Sequence, residues 1–141
     1  MQIKFEVPAV PIAQPRARAT RVGKFVRMYE ADGKHAIHSF KAAVQICAKQ
    51  AYKGPPLTGP LTMSLVFVFP RGSNKIWKTR PMPRYVKATA PDADNLAKSC
   101  LDSMNKLTFA DDGQVVSLYL AKWHAAGDEQ PHVEVVITEI D

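Results

Sequence analysis

Residues 61–69 read LTMSLVFVF. Successive side chains of a strand point to opposite faces, so Leu61, Met63, Leu65, Phe67 and Phe69 line one side. Val66 and Val68 make the other side apolar as well. A strand that is apolar on both sides belongs in the middle of a sheet whose two faces are covered, and the remaining strands must flank it. Three alternating segments are available for this: Gln2 to Val7, Val115 to His124 and His132 to Ile140. The first is ended by Pro8 and Pro11. The last two are separated only by Ala125-Ala126-Gly127-Asp128-Glu129 and are expected to form an antiparallel pair that completes the sheet.

From Ala36 to Tyr52 the apolar residues Ile37, Phe40, Val44, Cys47, Ala48 and Ala51 follow helical spacing, with Lys41 and Lys49 off that face. Gly54, Pro55 and Pro56 stop the helix. His35 and His38 near its start read as surface or capping residues. Two further segments are basic. Pro15 to Tyr29 carries Arg16, Arg18, Arg21, Lys24 and Arg27, and its alternation on both sides of Gly23 suggests an irregular hairpin or a flexible arm. Beyond Pro70 come Arg71, Lys75, Trp77, Lys78, Arg80, Arg84, Tyr85 and Lys87. Cations without acids among them do not neutralise one another, so they point at solvent or at phosphate. Trp77 and Tyr85 are suited to stacking on opened bases. A solvated polar loop is the alternative reading of both segments. The element order is strand, basic excursion, helix, strand, basic loop, helix, strand, strand. It describes an α+β domain with a mixed β-sheet and two main helices, and 141 residues suffice for one such domain, spanning residues 1–141.

The second helix lies within residues 91–116, PDADNLAKSCLDSMNKLTFADDGQVV. Five aspartates, Asp92, Asp94, Asp102, Asp111 and Asp112, fall within 21 residues there. At about 100° per residue, Lys98 and Asp102 share the side of Asp94, while Leu96, Cys100, Met104 and Leu107 cluster opposite. The helix is amphipathic. Two aspartates frame its start and two sit in a turn after it, so a hairpin-like path would fold the pairs towards each other. Clustered carboxylate oxygens are what a hard divalent cation requires. Asp and Asn are also ordinary N-cap residues, and Asp-Asp-Gly is an ordinary turn. Spacing alone leaves both readings open.

Charge is unevenly placed: residues 1–90 carry a balance of +13 and residues 91–141 a balance of −7, against +6 for the chain. An acidic site within a basic remainder suits a polyanionic substrate, with cations for phosphates and carboxylates for a metal. Cys47 and Cys100 read as small core residues in a reducing compartment. No stretch approaches a membrane span, and the N-terminal residues lack the pattern of a signal peptide. A cytoplasmic protein is expected.

The run Asp92, Asp94, Asn95, Leu96, Lys98, followed by a helical Asp102 and then Asp111, Asp112, Gln114 and Val115, resembles the signature of the RusA-like Holliday-junction resolvases, small endodeoxyribonucleases common in phages and prophages. Gln14, Pro15, Arg16, Ala17 and Arg18 resemble the family's Pro-Arg-x-Arg run more loosely. The chain departs from the pattern between the helix and the double aspartate. There the family often has a glycine and this chain has Asn105-Lys106-Leu107-Thr108; Asn105 is the residue suited to a left-handed cap.

The resemblance implies a βαβαββ arrangement, a homodimer, and Mg²⁺, with Mn²⁺ as the alternative, held by Asp92, Asp94 and Asp112. It places catalysis on Asp92, Asp94, Lys98 and Asp112, with Asp111 a neighbour of Asp112. Without it, Lys98 reads as one half of an i,i+4 ion pair. The implied activity is resolution of four-way DNA junctions by paired symmetric nicks in recombination and repair. Arg16, Arg18, Lys75, Lys78, Arg80 and Arg84 would contact the nucleic acid. The rival readings are a nuclease for flaps or forks, and a non-catalytic DNA-binding module.

Overall fold

The structure, a computed structural model, describes residues 1–15, 17–22, 25–30, 34–72 and 82–140, and of residues 17–35 it describes the backbone alone. In chain order the elements are β1 (Gln2–Val7), β2 (Ala17–Val22), β3 (Phe25–Glu30), α1 (Lys34–Ala51), β4 (Leu61–Phe69), β5 (Tyr85–Val86), α2 (Ala93–Met104), β6 (Val115–His124) and β7 (His132–Glu139). Five strands form one sheet in the order β1-β7-β4-β6-β5, and β2 pairs with β3 as a separate hairpin. Strand β4 runs antiparallel to β7 and parallel to β6. The sheet is therefore mixed and the domain α+β.

The central place of β4 follows from its composition: Leu61, Leu65, Phe67 and Val68 have no exposure at all. That placement overturns the expected pairing of β6 with β7. The two strands do not touch as a hairpin, because β4 lies between them. Lying between β6 and β7, β4 has its backbone hydrogen-bonded on both edges as well as its side chains covered. The connecting residues 125–131 are long enough to cross two strand spacings of about 4.8 Å each.

Both helices pack on one face, where Ile3, Val7, Met63, Leu65, Phe67, Val133, Val135 and Ile137 meet Phe40 and Val44 of α1 and Leu96 and Met104 of α2. On the opposite side of β4, Val66 is half-buried and Val68 buried. No helix among the described residues is long and apolar enough to cross a membrane. Cys100 is fully buried and Cys47 partly so. Burial pushes the Cys100 thiol up to about 12, against the opposing hydrogen bond with Ser99, which keeps it protonated.

Helix α2 is seated by Leu96, Ala97, Cys100 and Met104, the face the helical wheel predicts. Ser99 and Ser103 are also buried there. Their hydroxyls donate back along the helix to the Leu96 carbonyl at 2.8 Å and the Ser99 carbonyl at 2.6 Å, which removes the cost of burying them. Cutting Leu96 to Ala is expected to cost about 2–5 kcal/mol.

The helix ends differently from expectation. Asn105 is extended, with φ −60° and ψ 133°, and Lys106 takes the left-handed conformation at φ 65°. The turn is closed by the Lys106 N–H to the Phe109 carbonyl at 2.7 Å and by the Leu107 and Thr108 N–H groups to the Met104 carbonyl. A lysine thus occupies the position that favours glycine.

An L-residue in this region costs roughly 1–2 kcal/mol, and glycine loses roughly 0.5–1 kcal/mol of that advantage through the unfolded chain. Lys106→Gly should therefore stabilise the protein by about 0.5–1 kcal/mol, read as a higher urea midpoint with an unchanged m-value.

Candidate active site

The acidic segment begins where α2 meets β6. Asp92 occupies the N-cap position with φ −70° and ψ 145°, yet its side chain makes no capping hydrogen bond. The capping reading of Asp92 therefore does not hold. Asp94 lies in the first turn and, like Asp92, is exposed, near the unpaired N–H groups and positive dipole of the helix start. Lys98 is exposed one turn on. Among the described residues it joins no ion pair, and Asp102 instead lies 4.0 Å from Lys41 of α1.

The chain on either side of this helix start is tied down. Gln14 donates its N–H to the Asn95 carbonyl at 2.9 Å, which roots the arginine-bearing hairpin at the Asp92–Asp94 end of α2. Lys122 of β6 donates from Nζ to the Thr89 and Pro91 carbonyls, each at 2.8 Å. Sequence reasoning passed over Lys122. The available signal was the one lysine in a strand that carries no acid.

Asp111 and Asp112 lie at the far end of α2. Asp111 caps a short 3-10 turn: its carboxylate accepts the Gly113 N–H at 2.9 Å, and Gln114 Oε1 accepts the Asp111 N–H at 2.7 Å. A Cβ on residue 113 would lie 2.7 Å from that carboxylate, so a larger residue there would push the capping side chain aside. Gln114 Nε2 donates to the Leu57 and Gly59 carbonyls at 2.9 and 2.8 Å, so the turn is anchored where β4 and β6 begin. Asp111 is thus occupied structurally, and Asp112 is not a cap.

The hairpin-like convergence expected of the two acidic pairs is absent. Twelve residues of α2 make a straight rod about 18 Å long. Pro91 is held at Lys122, near the end of β6, while the Asp111–Gln114 turn precedes its start. Among the described residues, Glu6, His132 and Glu134 form a group of potential ligand atoms all within 4.8 Å of one another; Asp92, Asp94 and Asp112 form no such group.

The basic loop is described only at its base. Arg71 Nη1 donates to the Pro83 carbonyl at 2.8 Å and the Ala125 carbonyl at 3.1 Å. Tyr85, expected to stack on bases, instead stacks on His124 with ring centroids 4.3 Å apart, lies 5.1 Å from the Arg71 guanidinium and accepts the Gly72 N–H. Arg84, expected to contact phosphate, is instead held by two carboxylates. Its Nε and Nη2 donate to Glu129 at 2.6–3.0 Å and its Nη2 to Glu134 at 2.6 Å. The physical reason is proximity: the β6–β7 connection and β7 bring two acids to the loop's root. Trp77, Arg16, Lys75, Lys78 and Arg80 lie outside the described residues, as does the side chain of Arg18.

The Glu6–His132–Glu134 group belongs to the same network. His132 Nδ1 lies 2.9 Å from the Gln130 carbonyl and Nε2 lies 2.8 Å from Glu134. Both neighbours are acceptors, so only the doubly protonated ring satisfies both. Glu6 and Glu134 face each other across β1 and β7, a repulsive pairing that Arg84 and His132 offset. Burial lowers the His132 pKa, but the Gln130 carbonyl, Glu134 and Glu6 outweigh it and the net shift is upward. The Arg84 hydrogen bonds hold Glu129 below its ordinary range. Burial pushes Glu134 up, and His132 and Arg84 more than reverse that.

Comparison with known proteins bears on the whole chain. Residues 8–138 match the family described as endodeoxyribonuclease RusA. An uncharacterised Bacillus subtilis (strain 168) protein, YqaN, is 34% identical over 155 residues, covering 98% of this chain and 96% of that one. The crossover junction endodeoxyribonuclease rusA of Lactococcus phage r1t is 29% identical over 140 residues, covering 99% and 98%.

A group whose pKa is raised on folding contributes stability that is complete below its unfolded value, about 6.5 for histidine, and lost as pH rises through the folded value. The melting temperature should therefore fall as pH rises above about 6.5, over the window in which folded His132 loses its proton, by the share that His132 contributes. Thermal melts of His132→Gln across that window should be flatter than those of the wild-type protein.

Proposed function

The chain belongs to the RusA family of endodeoxyribonucleases, and from that membership we propose that it is a Mg²⁺-dependent homodimer that nicks four-way DNA junctions symmetrically in recombination and repair. The observation that carries this reading is the separation of Asp92 and Asp94 from Asp112 by the length of α2, beside a strand with an open edge. Along β6, β5 pairs only with Trp123 and His124. From Val115 to Ala121 the strand has no paired neighbour on that side among the described residues. Val116, Leu118 and Tyr119 are 62%, 41% and 60% exposed there, an unusual load of apolar surface for an unpaired strand.

A second copy pairing antiparallel along this edge satisfies its backbone groups and covers those side chains. Two-fold pairing of residues 115–121 with the same residues reversed carries Asp112 of the partner subunit towards the Lys122 end, and so towards Asp92 and Asp94. Each site is then completed by two protomers, and two equivalent sites face two symmetry-related phosphates.

The residues fit a hard divalent cation. The donors are all carboxylate oxygens, the ligand type such an ion takes. Asp92, Asp94 and Asp112 would hold the ion; when bound, it supplies positive charge that polarises the phosphodiester and makes water a better nucleophile near neutral pH. Lys98, on the Asp94 side of α2, places an ammonium where negative charge builds on the phosphate. Arg16, Arg18, Lys75, Lys78 and Arg80 would hold the flanking phosphates, while Arg84 braces the loop that carries three of them. The phage relative's own name, a crossover junction endodeoxyribonuclease, points to the branched substrate.

Asp94→Asn and Asp112→Asn should each lower cleavage of a fixed four-way junction by at least about 10²-fold while retaining junction binding. Dimers assembled from the two variants carry both changes in one site and none in the other. Mixing should restore single nicks; failure of mixed dimers to cut, with both variants folded and dimeric, would refute the shared site. Lys98→Ala should slow cleavage by about 10²-fold with unchanged binding, measured by single-turnover cutting and gel shift.

A further inference from the structure

Lys122 is a half-buried lysine on the helix-facing side of β6, in register with Phe67 of β4 and two residues from Leu120, which packs against the core. The location is unfavourable for a cation, close to apolar side chains and to the positive end of α2. Two contacts offset this. Nζ donates to the carbonyls of Thr89 and Pro91, each at 2.8 Å, and these residues lead directly into Asp92. The main chain reinforces the tie, since the Lys122 carbonyl accepts the Lys87 N–H at 3.0 Å. Side chain and backbone of one strand residue thus fix both ends of the segment 87–91. An ammonium has three donors, and a neutral side chain of similar length would leave two carbonyls without their partner.

We propose that Lys122 is a positioning residue for the divalent-cation site: it clamps residues 89–91 to the sheet so that Asp92 and Asp94 are presented together at one cation. The proposal rests on the reading of those aspartates as ligands. A tether to the central sheet places the ligands more firmly than the loop could alone, and displacing reacting groups by about 1 Å is enough to lower a rate by about 10².

The test is Mn²⁺ binding, followed by the electron paramagnetic resonance of the free ion, for wild-type protein, Lys122→Met, Lys122→Arg and Asp94→Asn, with thermal melts to establish folding. Lys122→Met should raise the half-saturating Mn²⁺ concentration by about 10-fold or more. Its cleavage should recover when Mn²⁺ is raised, and its junction binding in EDTA should match wild type. Lys122→Arg, which keeps the charge and the donors, should recover part of the affinity. Lys122→Gln, which retains one donor pair, takes the place of the Met variant if that fails to fold.

Wild-type Mn²⁺ affinity in folded Lys122→Met, with Asp94→Asn impaired, overturns the clamp and leaves the ligands standing. Unimpaired Mn²⁺ binding in Asp94→Asn removes the ligand reading, and the clamp with it. Loss of junction binding in EDTA with a normal Mn²⁺ curve would make Lys122 a phosphate contact instead.

Discussion

The burial of Leu96, Ala97, Cys100 and Met104 against the sheet fixes where every acidic residue of the segment 91–116 lies. Once that face is seated, a straight helix of about 18 Å must hold its first and last residues apart. The turn after its end is pinned through Gln114 to the Leu57 and Gly59 carbonyls, and the chain before its start is pinned at the other end of β6 by Lys122, so the two sets of carboxylates stay apart while both anchors hold. A site that uses both sets has to be assembled by packing outside one protomer. On the proposed reading the same helix carries one set of carboxylates and holds the other away from it, and the open edge of β6 is where a second copy would bring the other set.

Electrostatics divide the molecule in a way that net charge conceals. The basic excursions are not simply rows of cations turned to solvent. Arg84 is bound by Glu129 and Glu134, Arg71 by backbone carbonyls, and Lys122 by the chain ahead of Asp92. These ties close the base of the loop at residues 71–72 and 82–85, leaving its remaining cations between fixed ends. A loop with anchored ends loses less conformational freedom when it meets a ligand. On the proposed reading the cations at the root brace the loop and those further out meet phosphate.

Much of this was legible in the sequence because it depends on local periodicity. The two-sided apolar run at 61–69 announces a central strand, and the face of α2 follows from a 3.6-residue repeat. Partner choice between strands is not local, which is why β6 and β7 read as a hairpin and are separated by β4. The candidate site residues stand out as types and spacings, but convergence is a three-dimensional property, and the wheel of α2 gives direction around the axis without distance along it. Arg84 and Tyr85 were misread for a related reason. Their partners Glu129, Glu134 and His124 are about 40 residues away or more, and nothing near 84 or 85 announces them. Lys106 shows the opposite case: the family's glycine position was located, but the left-handed residue is one place beyond Asn105.

Strand β6 joins these threads. Its inner side belongs to the core through Leu120, its start is anchored through Gln114 to the chain before β4, and its far end holds Pro91 through Lys122. Its outer edge leaves Val116, Leu118 and Tyr119 in water. An exposed edge of this kind would ordinarily be blunted by charge or proline, and between Val115 and Ala121 there is neither. The absence of such protection, on the strand that spans from one acidic end of α2 to the other, is understandable if pairing is the purpose of the edge. A partner that docks there aligns with the sheet to which the Asp92 segment is clamped, so the geometry of association and the geometry of the carboxylates are set by one strand.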